Sequence, residues 1–363
     1  MKLLHIADIH LDRVFHRAES RPAAARRRGE LRDALARALA LGKEREVDAV
    51  CIAGDVYEHE YVSEDTISFL RDAFAAAGVP VLVTPGNHDP YLPGSAWQRT
   101  EWPANVHLFA RDELEPYRLG NGVTVWGAAF TARNCDASAV TRFRAPDDGG
   151  THVLLVHAAL TGEQWAEEAD YRPVTRAQLQ ATRVAYVMLG HFHDGRGDGF
   201  LCYPGSPEPL DWGERTGAHG ASIVEIGGGT LTAAAIPIAR RRYVERTVSV
   251  AGVSGSAQVE VAVATAAAEE PGASLRVVLT GEIEPGCEID AHSLSERCAA
   301  GLTELAVVDR TVPAYDLDAL AREGSVRGRF VARLLHAGDP DSHEAVLAGL
   351  RALDGRAEVI HAG

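Results

Sequence analysis

The sequence predicts an α/β protein with two packed β-sheets. Three observations predict it. Apolar runs such as Lys2 to Ala7, Val47 to Ala53 and Val79 to Val83 recur along the first part of the chain, segments with helical spacing separate the earliest of them, and run after run ends on an aspartate, asparagine or histidine. Strand, helix, strand, helix, strand is the order of a parallel α/β layer, whose sites form where the carboxyl ends of the strands open.

Taken in order, Lys2 to Ala7 reads as the first strand and delivers Asp8-Ile9-His10. On an extended segment side chains two apart point the same way, so a carboxylate and an imidazole should leave together. Glu30 to Glu46 carries Leu31, Leu35, Ala38, Leu39 and Gly42 at helical spacing. Val47 to Ala53, apolar but for Asp48 and continuous from Ala49, has the pattern of a strand buried on both faces and ends at Gly54-Asp55. Ser63 suits an N-cap, with Glu64 and Asp65 in the first turn of a helix reaching Ala77 and stopped by Gly78. Val79 to Val83 then leads into Gly86-Asn87-His88-Asp89.

After Pro90 shorter strands follow: Val106 to Phe109, Val123 to Ala128, Val153 to Val156, Val184 to Leu189, Ile223 to Ile226 and Leu231 to Ile236. Gly227-Gly228-Gly229 reads as a hairpin turn between the last two, and a short helix at Arg176 to Ala181 interrupts the series. These strands are expected to build a second sheet on the first. The motifs stop near residue 240, where we expect a boundary between a domain of residues 1–240 and a smaller α+β domain of residues 241–363. In the latter, strands at Tyr243 to Val250, Ser274 to Leu279 and Glu304 to Val308 alternate with helices at Ala257 to Ala268 and Ser293 to Ala300, and helices at Asp316 to Arg322, Arg327 to Leu335 and Ser342 to Leu353 end it.

With 363 residues, 46% of them hydrophobic, the chain can bury a full core. Met1 to Leu11 shows no basic region followed by a long apolar stretch, and charged residues interrupt every apolar run, so a soluble, cytoplasmic protein without a membrane partner is expected. Five widely spaced cysteines, none in a CxxC pair, suggest neither a disulfide framework nor a zinc ribbon. A formal charge of −15 weighs against autonomous binding to a polyanion. The positive residues are nevertheless clustered, at Arg13, Arg17, Arg21 and Arg26 to Arg28 and again at Arg240 to Arg242. Such a run is ordinarily a solvated face. The first begins three residues after His10, where it is placed to hold a polyanionic substrate beside the chemistry.

The chemistry lies in the set rather than in any member. Asp8, Asp55, Asp89, Asn87, His10, His88, His157, His191 and His193 all fall at strand ends. Any one alone is an ordinary turn residue. Together they make three carboxylates, one amide and five imidazoles with no thiolate, a donor set suited to manganese, iron or zinc. That is too many ligands for one ion. Two ions bridged by a carboxylate can bind both oxygens of an in-line displacement at phosphorus and supply hydroxide at neutral pH, with an imidazole to stabilise or protonate the leaving group.

The order Asp8-x-His10, Gly54-Asp55, Gly86-Asn87-His88-Asp89, His157, Gly190-His191-x-His193 resembles the calcineurin-like metallophosphoesterases over residues 1 to about 240. Within them, His5 to Asp12 and Tyr203-Pro204-Gly205-Ser206-Pro207 look most like the SbcD-type DNA-repair exonucleases, the nuclease half of SbcCD complexes. The resemblance implies a four-layer fold of two sheets flanked by helices and a dinuclear, usually manganese, centre, with Fe, Zn or Mg as alternatives. By it Asp8, His10, Asp55 and His193 hold one ion, and Asp55, Asn87, His157 and His191 the other. His88 faces the leaving oxygen and Asp89 orients it. It further implies a C-terminal domain that caps the site over residues 243 to about 310, DNA as substrate, a homodimer, and an SMC-like ATPase docked by C-terminal helices.

Three functions therefore compete: a manganese-dependent DNA exonuclease or endonuclease, a phosphodiesterase acting on a small nucleotide or another non-DNA ester, and a non-enzymatic subunit with a structural metal. The complete ligand set with His88 intact weighs against the third, and the resemblance to the SbcD-type branch favours the first.

Overall fold

Alternation along the strands decides the layering. In the computed structural model, which describes residues 1–15, 21–163, 171–214, 217–227, 230–284, 287–336 and 342–353, Leu4 and Ile6 of β1 (Lys2–Ile6) pack against helices, whereas Leu3 and Ala7 face a second sheet. The same split divides Val50 and Ile52 from Ala49 and Cys51 in β2 (Ala49–Ile52), and Val81 and Val83 from Leu82 in β3 (Val81–Val83). Both faces are apolar because both are covered. Each fully buried Leu, Ile or Val contributes about 1.5–3 kcal/mol.

The helical layer on this side is α1 (Arg21–Glu44), through Leu31, Leu35 and Ala38, and α2 (Glu64–Ala76), through Ile67, Leu70 and Phe74. Ser63 caps α2 by accepting from Thr66 N. Helix α1 begins nine residues before the expected Glu30, because Arg21-Pro22 and Ala23 to Ala25 suit a first turn while the apolar stripe marks only the buried part. A short α3 (Ala96–Arg99) precedes β4 (Val106–Leu108).

The second sheet comprises β5 (Glu115–Gly120), β6 (Val123–Ala128), β7 (Thr151–His157), β10 (Tyr186–Gly190), β11 (Arg196–Gly197) and β12 (Leu201–Tyr203), with a small pair, β8 (Leu160–Thr161) and β9 (Val174–Thr175), beside it. Its strand order is β11-β12-β10-β7-β6-β5, with the inner four parallel. Val153, Leu155 and Met188 face the first sheet, and Leu154, Val156, Val187 and Leu189 face α4 (Ser138–Thr141) and α5 (Arg176–Ala181). The result is helix, sheet, sheet, helix.

Two expectations about sheet membership are corrected. Strand β4 and the hairpin of β13 (Gly220–Gly227) and β14 (Thr230–Pro237) belong to the first sheet, whose order is β14-β13-β1-β2-β3-β4. The hairpin lies antiparallel on the open edge of β1, Leu3 opposite Val224. An apolar run signals a strand but not which open edge will take it. Gly228 and Gly229 of the expected turn, and also His16 and Arg17, lie outside the described residues.

Contacts divide the chain into two compact units, Met1–Arg241 and Arg242–Gly363. The second is built on a parallel sheet of β15 (Tyr243–Ser249), β16 (Ser274–Thr280) and β18 (Glu304–Asp309), with β17 (Glu282–Ile283) and β19 (Val312–Pro313) paired separately. Helices α6 (Ser256–Ala268) and α7 (Ala291–Arg297) supply Val259, Val263 and Leu294 to its core. Helices α8 (Leu317–Ala321), α9 (Val326–Leu335) and α10 (Ser342–Leu353) share a small cluster around Val331, Val346 and Leu350. All five cysteines are buried and none forms a disulfide, and among the described residues no helix is long and apolar enough to cross a membrane.

Candidate metal centre

The parallel strands of both sheets end on one side, and the loops that leave them are locked together. Asp8 N donates to Gly54 O (3.1 Å), Ile9 N and His10 N both donate to Asp55 O (2.9 Å each), and Leu11 N donates to Val56 O (2.9 Å). Asp8, His10 and Asp55 have φ of 55°, 51° and 54°. The left-handed backbone costs of order 1 kcal/mol or more per residue outside glycine, and these loop–loop bonds hold it in place. The extended geometry expected for Asp8 and His10 is thus replaced by a turn beyond the strand, which ends at Ile6. Both side chains still reach the same centre. Gly54 and Gly86 are required by close approach: a Cβ on Gly54 would strike the His157 ring, and one on Gly86 the Asp55 carboxylate.

Asp8, His10 and His193 present ligand atoms within 4.8 Å of one another, as do His10, Asp55 and His88, and Asp8, Asp55 and His157. Residues 185 positions apart in sequence meet here, and Asp55 and His10 each belong to more than one trio. Asn87 Oδ1 lies 2.9 Å from His157 Nε2. His191 stands at the margin, its ring edge-on to His157 with centroids 5.3 Å apart, and its backbone N donates to Asp8 Oδ1 at 3.0 Å.

The proton positions follow from the partners. His157 Nδ1 lies 2.8 Å from Ala53 O, which only accepts, so Nδ1 carries a hydrogen and, in the neutral ring, Nε2 is a lone pair. That lone pair faces Asn87 Oδ1 and, at 3.4 Å, Asp55 Oδ2. Likewise His10 Nδ1 donates to Glu58 Oε1 (2.9 Å) and His193 Nδ1 to Glu214 Oε1 (2.7 Å), leaving their Nε2 atoms opposed at 3.1 Å. With both rings neutral, acceptors face acceptors, so the contact calls for a proton or a metal ion between them, and burial of His193 is outweighed by the Glu214 hydrogen bond and the Asp8 charge, which raise it toward the protonated form. A carboxylate or carbonyl behind each imidazole is the support that fixes a ligating histidine.

Charge is arranged to match. Burial pushes Asp8 above the usual carboxylate range, against the pull of His157 and His193. Burial also opposes ionisation of Asp55, but His157, His10, His88 and the His88 N–H hold its carboxyl well below that range. For His88, burial is outweighed by the Glu58 hydrogen bond and the charges of Asp55, Glu58 and Asp89, which raise it to about 9. Glu58 is correspondingly brought to about 2 against its own desolvation. His191, buried and next to His157, falls to about 3.

Two carboxylates were missed by sequence reasoning. Glu58 bridges His10 and His88, its Oε2 lying 2.8 Å from His88 Nδ1. Glu214, on the 3-10 turn Trp212–Glu214, backs His193. Neither ends a strand, so the rule that found the others passes over them. Asp89 is corrected in turn: its carboxylate accepts from the backbone N–H groups of Gly86 (2.6 Å), Val56 (2.8 Å) and Asp55 (3.0 Å), so it braces the loops while Glu58 orients His88. Outside the centre, His152 bonds Trp126 and Asp148, His107 packs on Phe109 and Tyr117, and His5 lies fully buried between the sheets. His59 lines the cleft of 630 Å³ into which Asn87, His88 and His191 open.

One member of each basic cluster is spent on structure, while Arg21 and Arg26 remain exposed. Arg27 and Arg241, both buried, clasp Glu30, and the backbone N–H groups of Arg240 and Arg241 bond Glu208.

Comparison with known proteins agrees with this geometry. A metallophosphoesterase from Bacillus subtilis (strain 168), YhaO, described as uncharacterized, is 27% identical over 64% of this chain, which spans 59% of that relative. A DNA double-strand break repair protein Mre11 from Methanopyrus kandleri is 27% identical over 94% of this chain and 80% of its own length. A crystal structure of TT1561 of Thermus thermophilus gives a TM-score of 0.39 at 12% identity, covering 64% of this chain and 98% of that one, a likeness too slight to carry an argument. The family model for calcineurin-like phosphoesterase matches residues 1–195, more than half of the chain. With the strand-end ligands gathered as described, this chain belongs to the calcineurin-like phosphoesterases.

Proposed function

We propose that the protein is a two-metal phosphodiesterase acting on DNA, a nuclease of the SbcD type. The convergence of Nε2 of His10, His193 and His157 on the carboxylates of Asp8 and Asp55 carries the metal part of this reading, because a proton satisfies one such pair at a time whereas a metal ion takes a whole trio of ligand atoms at once. Similarity to the Mre11 relative over 94% of the chain supports the choice of DNA. Asp8, His10, Asp55 and His193 would hold one divalent ion, and Asp55, Asn87, His157 and His191 a second, with manganese preferred for the mixed imidazole and carboxylate donors. When bound, such a pair supplies Lewis acidity toward phosphoryl oxygens and a hydrolytic nucleophile at neutral pH.

The chain's own part is positioning and proton supply. Asp55 is kept ionised in a buried place, so it is ready as the bridging anion. Glu58 holds His88 by Nδ1 and leaves Nε2 for the oxygen that departs. The second unit is assigned the capping role, and a second copy and an SMC-like ATPase are the partners proposed, in the cytoplasm. Because Arg27 and Arg241 are occupied, phosphate contacts along DNA fall to other cations or to those partners.

The test is purified protein with manganese, labelled single- and double-stranded DNA, and bis(p-nitrophenyl) phosphate. Cleavage of DNA, abolished by Asp55→Asn, is expected. Turnover of the aryl ester or of cyclic nucleotides without DNA cleavage selects the small-substrate enzyme instead, and full metal occupancy with no hydrolysis makes the metal structural.

A further inference from the structure

In the first unit, the large hydrophobic side chains left exposed among the described residues are two tyrosines, Tyr61 (53%) and Tyr171 (39%). Both line the same cleft as His88 and His191. Scattered exposed apolar residues need no explanation, but two aromatic rings confined to the mouth of one polar cleft do.

The backbone at each tyrosine is fastened by hydrogen bonds. Tyr61 N donates to Glu58 O (3.0 Å), and His59 N donates to His88 O (2.9 Å), which fastens the turn carrying Tyr61 to the loop carrying His88. Tyr171 O accepts from Ala159 N (3.0 Å), and its neighbour Arg172 is a fully buried anchor. Arg172 donates to Asp112 Oδ1 (2.6 Å), Ala129 O (2.7 Å) and Ala128 O (3.1 Å) and lies 4.6 Å over the Phe130 ring. The Tyr171 ring centroid is thereby held 5.6 Å from that of His191. Arg133, which also lines the cleft, pairs with Glu60 beside Tyr61 and so joins two of its lining segments.

We propose that Tyr61 and Tyr171 are stacking platforms for nucleobases, so that the cleft takes a phosphodiester flanked by an unpaired base. A base inside a duplex offers its π-faces only to its neighbours, whereas a single strand or frayed end can lay one on a tyrosine ring. The substrate class is therefore single-stranded or locally melted nucleic acid. This rests on the reading of the site as a phosphodiesterase and adds to it where the bases go.

The experiment uses the full-length protein without added metal and measures binding of a fluorescent oligothymidylate, an abasic deoxyribose phosphate oligomer of equal length, and a blunt duplex. Oligothymidylate should bind about tenfold tighter than the abasic oligomer. Tyr171→Ala and Tyr61→Ala should erase that preference, and Tyr171→Phe and Tyr61→Phe, which keep the ring, should retain it. Equal affinity for the thymidylate and abasic oligomers, a preference for the duplex, or a preference that survives both alanine substitutions overturns the proposal. Hydrolysis is read separately with manganese: if nothing is cleaved while the base preference stands, the phosphodiesterase reading fails and the platforms remain.

Discussion

Glu58 and Glu30 are each clasped by two nitrogen-bearing side chains, yet one lies in the candidate metal centre and the other in a closed structural knot. Glu30 accepts from Arg27 Nη1 (2.5 Å) and from Arg241 Nη2 (2.8 Å) and Nε (3.0 Å). Arg27 uses Nη2 on the carbonyl oxygens of Pro209 and Leu210 as well. Burial opposes the charge on Glu30, but the two guanidinium groups hold its carboxyl below the usual range. Glu58 is held down the same way by His10 and His88. The difference lies in the donor. A guanidinium has only N–H groups to offer, whereas an imidazole that spends Nδ1–H on a carboxylate keeps a lone pair on its far side. The first arrangement closes on itself, and the second aims His10 Nε2 into the centre. A buried charged cluster becomes a ligand site when its donors retain a valence pointing elsewhere.

The largest effect that would break this contrast is on stability. Glu30→Ala removes the carboxylate that the buried Arg27 and Arg241 share, and is expected to cost about 3 kcal/mol, read as a lower urea midpoint. Hydrolysis per folded molecule should be unchanged, since Glu30 touches no ligand residue. A midpoint that does not move would mean that the knot carries no structural weight. Next in size, Glu58→Gln should weaken manganese binding by about 10- to 100-fold, the usual consequence of altering the partner behind a ligating histidine. Isothermal titration measures it, with thermal unfolding of the metal-free protein as the control. Metal affinity equal to that of the parent would show that Glu58 does not position His10.

Much of the centre was legible because its ligands obey a local rule. Apolar strands that end at or within a few residues of Asp8, Asp55, Asn87, His157 and His191 can be read from a line of letters, and the structure gathers these residues where the loops interlock. What was not legible is whatever depends on pairing across long sequence distance. The hairpin of β13 and β14 reads as two strands, but its place beside β1 is set by the open edge of another strand. Asp89 reads as a partner for the adjacent His88, yet backbone N–H groups of Asp55 and Val56 claim it. Glu58 and Glu214 carry no signal, since a lone glutamate in a turn looks like any solvated acid. The arginine run looked like a substrate face, and Arg27 proved to be bound to Glu30 and so to Arg241, 214 positions away.

His5 sharpens the comparison from the opposite side, as a buried imidazole with no carboxylate behind it. It lies on β1 between Cys51 and Ser222 of the flanking strands, and neither ring nitrogen makes a well-formed hydrogen bond. Burial lowers it from 6.5 to about 3, against a smaller pull from the Leu189 backbone. The folded protein therefore keeps His5 neutral over a range in which the unfolded chain takes up a proton. The unfolded state binds more protons below pH 6.5, so stability is lost as pH falls from there toward 3. The slope from this one group approaches about 1.4 kcal/mol per pH unit. Urea unfolding of the metal-free protein at pH 7, 6 and 5 should show that slope reduced in His5→Gln, which removes the titration and keeps a polar side chain. Parallel pH dependences for parent and variant would mean that His5 finds a strong proton acceptor in the folded state after all, and the distinction between supported and unsupported imidazoles would lose its clearest example.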